Sequence, residues 1–311
     1  MATARFKIWR GDVKGGAFQK YETEISEGMV VLDAIHQVQA GQAPDLAVRW
    51  NCKAGRCGSC SAEVNGMPRL MCMTRLSELR LDEPVTVEPM RTFPVIRDLV
   101  TDVSANYLAK KSIKKFKPRA PDAPDGTWRM VQEDVERVKE FRRCIECFLC
   151  QDVCHVLREH QLHNAFIGPR LLVHVAALEM HPLDSENRVE ELKAAHGIGY
   201  CNITKCCTNV CPENIAITDN AIIPLKERVV DISTIRYAKC SVLYGWARDP
   251  EPGSNGTQRC SPSDAGADPV HAQTHLDLTG RCWPKKSRIT ILHDSHWRCW
   301  PSKLCDVRGW S

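Results

Sequence analysis

Twelve of the chain's 17 cysteines fall into three tight groups. The first is Cys52, Cys57, Cys60 and Cys72; the second is Cys144, Cys147, Cys150 and Cys154; the third is Cys201, Cys206, Cys207 and Cys211. Grouped thiols serve as disulfide partners or, as thiolates, as ligands for soft metals. Disulfide frameworks belong to small exported chains. This chain has 311 residues, and Met1 to Arg10 already alternates like a strand, leaving no room for a signal or transit peptide. Metal ligation in a reducing, bacterial-type cytoplasm is the simplest reading.

The first group has the spacing C-x4-C-x2-C, with Cys72 twelve residues beyond Cys60. That is the plant-type arrangement for a 2Fe–2S cluster, whereas zinc knuckles favour paired C-x2-C units. Gly55 and Gly58 let the loop backbone approach the sulfides, because glycine has no side chain to obstruct it. The second group reads C-x2-C-x2-C-x3-C, a pattern in which three thiolates hold one cluster and the fourth reaches a neighbour. Cys201, Cys207 and Cys211-Pro212 supply the return ligands. The natural crossing gives Cys144, Cys147, Cys150 and Cys211 to a 4Fe–4S cluster and leaves Cys154, Cys201 and Cys207 for a 3Fe–4S cluster beside it. Cys206 is left over. As a fourth ligand it would convert the neighbour to 4Fe–4S, but adjacent side chains diverge, and a packed or partly exposed thiol is the plainer reading.

The elements that must position these ligands change in character along the chain. Arg5–Arg10 and Lys20–Ile25 alternate as half-buried strands do, and Met29–Ala40 carries Val31, Leu32, Ile35 and Val38 at helical spacing. Cys60–Val64, an Asn65-Gly66 turn and Arg69–Thr74 make a hairpin, and Pro84–Glu88 is a last strand. Pro94–Ser112 is expected to be helical and runs into a basic stretch from Lys110 to Arg119; Pro118 to Gly126 is a linker. Val131, Val135, Val138 and Phe141 form an amphipathic stripe over Trp128–Phe141, and helices are expected at Leu171–Met180, Val189–Ala195 and Ala221–Val230. The fold class is therefore α+β. The organisation is residues 1–98 around the first group, 99–127 as helix and basic linker, 128–231 as a helical domain for the other two groups, and 232–311 as an atypical tail.

Ile, Leu, Val and Phe supply only 12 of the tail's residues, six prolines interrupt it, and Arg-Cys-Trp-Pro occurs twice, at Arg281–Pro284 and Arg298–Pro301. Too little apolar area to offset the entropy of ordering marks a poorly ordered or non-native segment that supplies no ligand. The net charge of +4, from 42 basic and 38 acidic residues, is too mild to argue for nucleic acid. No stretch approaches the roughly 18 apolar residues of a membrane span.

Asn51-Cys52-Lys53-Ala54-Gly55-Arg56-Cys57-Gly58-Ser59-Cys60, Cys144–Cys154 and Cys201–Pro212, in this order, resemble the iron–sulfur subunit of succinate dehydrogenase and fumarate reductase, in an actinobacterial-like form. The match covers residues 1 to about 231. The resemblance implies a β-grasp 2Fe–2S ferredoxin domain followed by a helical ferredoxin domain. It also implies partners: an FAD-bearing flavoprotein subunit, and a membrane anchor where quinone binds at the cytoplasmic face of the bacterial inner membrane. Electrons would pass from FAD through the 2Fe–2S, 4Fe–4S and 3Fe–4S clusters to quinone. Running the same wire backwards makes a fumarate reductase, and the iron–sulfur subunit of another flavin-dependent dehydrogenase is the further alternative. No catalytic residue is expected in this chain.

Two positions depart from the family pattern: His155 stands where members commonly carry proline, and Asn202 where they often carry histidine. Both lie near the quinone in the family, so His155, Arg158 and Asn202 are candidates for its vicinity, with His160 on the same segment. Arg56 in the cluster loop either raises that cluster's potential or pairs with a partner subunit. Trp50 is expected in the core rather than as an electron relay, and the basic run Lys110–Arg119 as a solvated face or a docking patch.

The partition into two-, four- and three-iron groups predicts about nine irons per chain in the loaded protein. Iron and zinc analysis of the brown, purified protein checks this: a value near four, or zinc in place of iron, sinks the assignment.

Overall fold

In the computed structural model, residues 2–234 are described, all within one compact unit, Met1–Ser241. The expectations for the tail fall outside the described residues, apart from the end of the last helix.

The N-terminal half is a seven-stranded mixed sheet crossed by a helix. β1 (Ala2–Asp12) and β2 (Gly15–Ile25) form a long antiparallel hairpin. α1 (Val31–Gly41) follows, then β3 (Ser61–Val64), β4 (Met67–Leu70), β5 (Val85–Glu88), β6 (Val95–Arg97) and β7 (Val100–Thr101). The order is β4-β3-β5-β1-β6-β7, with β2 on β1, and the β1–β5 pair is parallel. Alternate residues of β1 (Ala4, Phe6, Ile8) face one side because strand side chains repeat every two residues; there they meet Val31, Leu32, Ile35 and Val38 of α1 and Val85 and Val87 of β5. The Asn65-Gly66 hairpin forms as expected, with φ of 50° and 75°.

The C-terminal half is helical. It comprises α2 (Ser104–Ser112), α3 (Gln132–Lys139), α4 (Leu149–Asp152), α5 (His155–Arg158), α6 (Pro169–Glu179), α7 (Val189–Ala194), α8 (Cys206–Asn209) and α9 (Ile223–Thr234). A second core gathers Val138, Phe141, Leu157, Phe166, Leu172, Val175, Leu192, Ile222 and Leu225. No helix among the described residues is long and apolar enough to cross a membrane.

Several expectations are corrected. Pro84–Glu88 is not the last strand, and the predicted helix Pro94–Ser112 begins only at Ser104, because β6 and β7 occupy its first part. The reversal between them is held by Asp98, whose φ is 49° and whose buried carboxylate accepts from Arg10 Nε (3.0 Å), the Gly11 N–H (3.0 Å) and the Ala47 N–H (2.8 Å). Partners from two distant segments override the local helical preference. Likewise the stripe from Trp128 becomes helical only at Gln132, leaving Val131 exposed. Trp50 is not core: its ring is exposed, beside His36 and under the Lys53 ammonium. The basic stretch is only partly a solvated face. Lys110 pairs with Glu146 at 2.5 Å and Lys114 with Glu186 and Glu191, while the fully buried Arg188 holds the Lys114 and Lys115 carbonyls.

The two halves interlock through a buried acid. Glu63 on β3 is inaccessible, and Arg158 of α5 binds it with two contacts of 2.9 Å; Arg91 adds a third at 3.5 Å. Beside it, the Thr92 N–H and hydroxyl donate to the Asp152 side chain and carbonyl. Burial, with Glu63 facing it, pushes the Asp152 carboxyl up to about 7.

Removing one member of a buried ion pair leaves an uncompensated charge. Arg158→Met is therefore expected to lower stability by about 3 kcal/mol, with the Arg158→Met/Glu63→Met double substitution recovering most of it. Urea-unfolding midpoints of both variants check this; a double variant no more stable than the single one refutes it.

Candidate functional site

Each thiol group is built on a loop whose backbone turns repeatedly into the left-handed region. In the first, Cys52 accepts from the Ala54 and Arg56 N–H groups, each at 3.3 Å. Burial works against ionisation of Cys57, but hydrogen bonds from Ser59 and Cys52 outweigh it and bring that thiol down to about 6. Cys60 and Cys72 are buried side by side at the base of the β3–β4 hairpin; burial, with Cys72 and Cys57 close by, pushes Cys60 up to about 12. The four expected ligands of this group are thus brought together.

In the second, Glu146 and Phe148 flank Cys147 with φ of 56° and 61°, wrapping the backbone without any glycine. Cys144, Cys147, Cys150 and Cys211 line one pocket together with Ile145, Phe148, Arg170, Val173, Glu213 and Ile215. Burial pushes Cys147 up to about 12, with Cys144 and Cys211 adding to it, and it also raises Cys150 well above the ordinary thiol range. Cys150 also feels Cys207, a member of the remaining group, so the two sets stand next to each other. No three His, Cys, Asp or Glu side chains among the described residues close on the point a single metal ion would occupy. What the four thiols share is a volume.

In the third, Cys154 is the N-cap residue of the short α5, its carbonyl accepting from the Leu157 and Arg158 N–H groups; burial raises its thiol to about 11, and Cys206 and Cys201 add to the rise. Cys207 is buried and pushed up to about 12 against Thr218, whose hydroxyl lies 3.4 Å from its sulfur in a π-helical turn over Ile217–Ile222. Cys206 is half-buried with its sulfur 3.2 Å from the Thr204 hydroxyl. The vicinal pair therefore takes different partners, yet Cys206 stays near enough to Cys154 and Cys207 to raise both.

These sites fit iron–sulfur groups. Thiols packed together in apolar surroundings resist ionisation, and a bound cation inverts that balance. The first and second loops touch. A Cβ added to Gly58, whose φ is 67°, would stand 2.7 Å from Cys147 Cα, so only glycine admits this approach. The Ser61 hydroxyl spans the junction, 2.9 Å from the Gly58 carbonyl and 2.8 Å from the Cys147 carbonyl.

The other expected residues are dispersed. His155 is half-buried beside His160, and burial followed by the His160 charge lowers its pKa. Asn202 is exposed. Arg158 lies on the same short helix as His155, with its guanidinium engaged by Glu63. Arg56 is largely exposed and lies 3.8 Å from Glu213 of its own chain. Sequence reasoning missed Ser61, Thr218 and Arg170. A charge within the apolar run from Phe166 to Val173 is the one signal that marked Arg170.

A mixed-sheet half with one thiol loop, joined to a helical half with two interleaved thiol groups, defines a two-part ferredoxin-type iron–sulfur protein. The family described as a 2Fe–2S iron–sulfur cluster binding domain matches residues 5–107, and the 4Fe–4S dicluster domain family matches 140–215. The fumarate reductase iron–sulfur subunit of Mycobacterium tuberculosis is 36% identical over 206 residues, 64% of this chain and 80% of its own. The succinate dehydrogenase iron–sulfur subunit of Paracoccus denitrificans is 28% identical over 73% of this chain and 88% of its own. A chain of the Mycobacterium smegmatis Sdh1 complex in the apo form superposes with a TM-score of 0.72 at 60% identity, over 75% of this chain and 97% of that one. The chain belongs to the family of iron–sulfur subunits of succinate dehydrogenases and fumarate reductases.

Cys206→Ser is expected to leave every cluster in place. Cys207→Ser is expected to remove or convert the signal of the third group. EPR of the oxidised protein checks both, and loss of that signal in Cys206→Ser would overturn the pairing.

Proposed function

We propose that this chain is the electron-transfer subunit of a succinate dehydrogenase, carrying electrons from an FAD-containing subunit to membrane quinone. The observation that carries this reading is the interleaving of the thiol groups: Cys150 stands among Cys144, Cys147 and Cys211 while also sensing Cys207. Cys52, Cys57, Cys60 and Cys72 would hold 2Fe–2S; Cys144, Cys147, Cys150 and Cys211 would hold 4Fe–4S; Cys154, Cys201 and Cys207 would hold 3Fe–4S. Bound there, the clusters supply one-electron carriers that split the two-electron chemistry of the flavin into single steps.

The chain's own residues do the rest. The N–H groups of Ala54, Arg56 and Ile215 donate to cysteine sulfurs, which favours the negative charge that each site must bear. The Gly58–Cys147 contact keeps the first two sites adjacent through protein rather than water. Ile145, Phe148, Val173, Ile215 and Ile217 give the second site a largely apolar wall.

His155, Arg158 and Asn202 are placed by this reading near quinone, with a membrane anchor as the docking partner and the cytoplasmic face of a bacterial inner membrane as the location. Succinate oxidation is the direction favoured, because the 60% identity to the Sdh1 chain exceeds the 36% to the fumarate reductase subunit. The native complex, purified with its partners, tests the proposal. Succinate-driven quinone reduction, lost in Cys207→Ser while an artificial acceptor still accepts electrons, is the expected result. Fumarate reduction outrunning succinate oxidation would reverse the direction, and absence of both activities would end the proposal.

A further inference from the structure

One wall of the pocket lined by Cys144, Cys147, Cys150 and Cys211 carries a charge that thiol ligation leaves unexplained. Arg170, on the first turn of α6, is 5% exposed and lines the cavity together with Cys144, Cys147, Cys150 and Cys211. Its Nη2 pairs with Glu146, in the loop between Cys144 and Cys147, and Lys110 holds the same carboxylate oxygen. The Arg170 Nε–H is buried and has no acceptor among the protein's own atoms. Buried guanidinium donors without partners are costly, and native proteins satisfy nearly all of them. The planar fork permits a division of labour: Nη2 clamps the ligand loop, while the Nε–H is left without a protein acceptor in a residue that lines the pocket.

The reduction potential of an iron–sulfur cluster depends on its net surrounding charge, on hydrogen bonds to its sulfurs and on its exposure to solvent. A fixed cation in a water-poor wall acts on the first two, and low dielectric strengthens its effect. Reduction adds one electron and makes the cluster more negative, so a neighbouring positive charge favours the reduced form.

We propose that Arg170 sets the reduction potential of the 4Fe–4S cluster, supplying a positive charge and its unpartnered Nε–H to the group held by Cys144, Cys147, Cys150 and Cys211. This rests on that ligand reading. The step it biases is the arrival of a single electron from the reduced 2Fe–2S site; no bond breaks and no proton is transferred. Arg170 acts on the cluster without ligating it. Its counter-ion Glu146 tempers the charge, so the pair, rather than the arginine alone, sets the balance.

The test is an EPR-monitored redox titration of the assembled complex, with iron content measured alongside. In Arg170→Gln the 4Fe–4S midpoint is expected to fall by at least about 59 mV, a tenfold change in the ratio of reduced to oxidised cluster for a one-electron couple. Arg170→Lys, which keeps the charge but not the fork, should fall less. Glu146→Gln should move the same midpoint upward, and the 2Fe–2S midpoint should hold still throughout. A fully loaded Arg170→Gln complex with an unmoved 4Fe–4S midpoint overturns the inference. Should Arg170→Gln lose the cluster, Glu146→Gln decides: a rise supports the assignment and no change overturns it. A wild-type complex without any 4Fe–4S signal would refute the ligand reading itself, which separates the two failures.

Discussion

Thiolates cannot be crowded together in a protein interior unless a cation stands among them, and the whole C-terminal half is arranged around that constraint. Cys147, Cys150, Cys154 and Cys207 are all buried, and burial pushes each of them well above the ordinary thiol range. Iron bound by these thiolates would remove the conflict, and metal loading and the packing of these loops would then be one event. The helices around them are correspondingly short. α4, α5 and α8 have four residues each, too few to stand without the core they cover. Left-handed residues at Glu146, Phe148, Ile203 and Lys205 add local strain that the surrounding packing has to overcome.

The second organising feature is the seam between the halves. It combines an apolar contact of Phe148 with Phe93 and Tyr107, the glycine-permitted approach of Gly58 to Cys147, and the buried Glu63–Arg158 pair. Each belongs to a different interaction type, and each ties the sheet half to the segment that carries the second cysteine group. The seam matters to function because electron transfer weakens steeply with distance. A hinge between the first and second sites would interrupt conduction, whereas a buried ion pair and a backbone contact hold them in register. Arg158, which sequence alone associated with quinone, belongs to this seam.

The elements most legible in the sequence were those whose cause is local. The alternation in Ala2–Asp12 and Gly15–Ile25, the helical spacing in Val31–Gly41, and the Asn65-Gly66 turn all follow from side-chain periodicity or from φ preferences. The segment from Pro94 was misread because its conformation is dictated by Arg10, Gly11 and Ala47 converging on Asp98. Trp50 was misread for a related reason. Its burial depends on whether something packs over it, and its ring, beside His36 and Lys53, stays exposed.

By itself the sequence determined the chemistry: cysteine spacings specify the number and kind of thiol groups, since ligand spacing is a covalent property of the chain. It also determined the α+β order, through the change from two-residue to helical periodicity. Only the tertiary structure decided which side chains stand around those groups without ligating them. Arg170 in the cavity wall, Thr218 against Cys207 and Ser61 across the loop junction come from segments far apart in the chain. No local pattern encodes such meetings, because they arise from how whole elements pack, and packing is set by shape and burial summed over the fold.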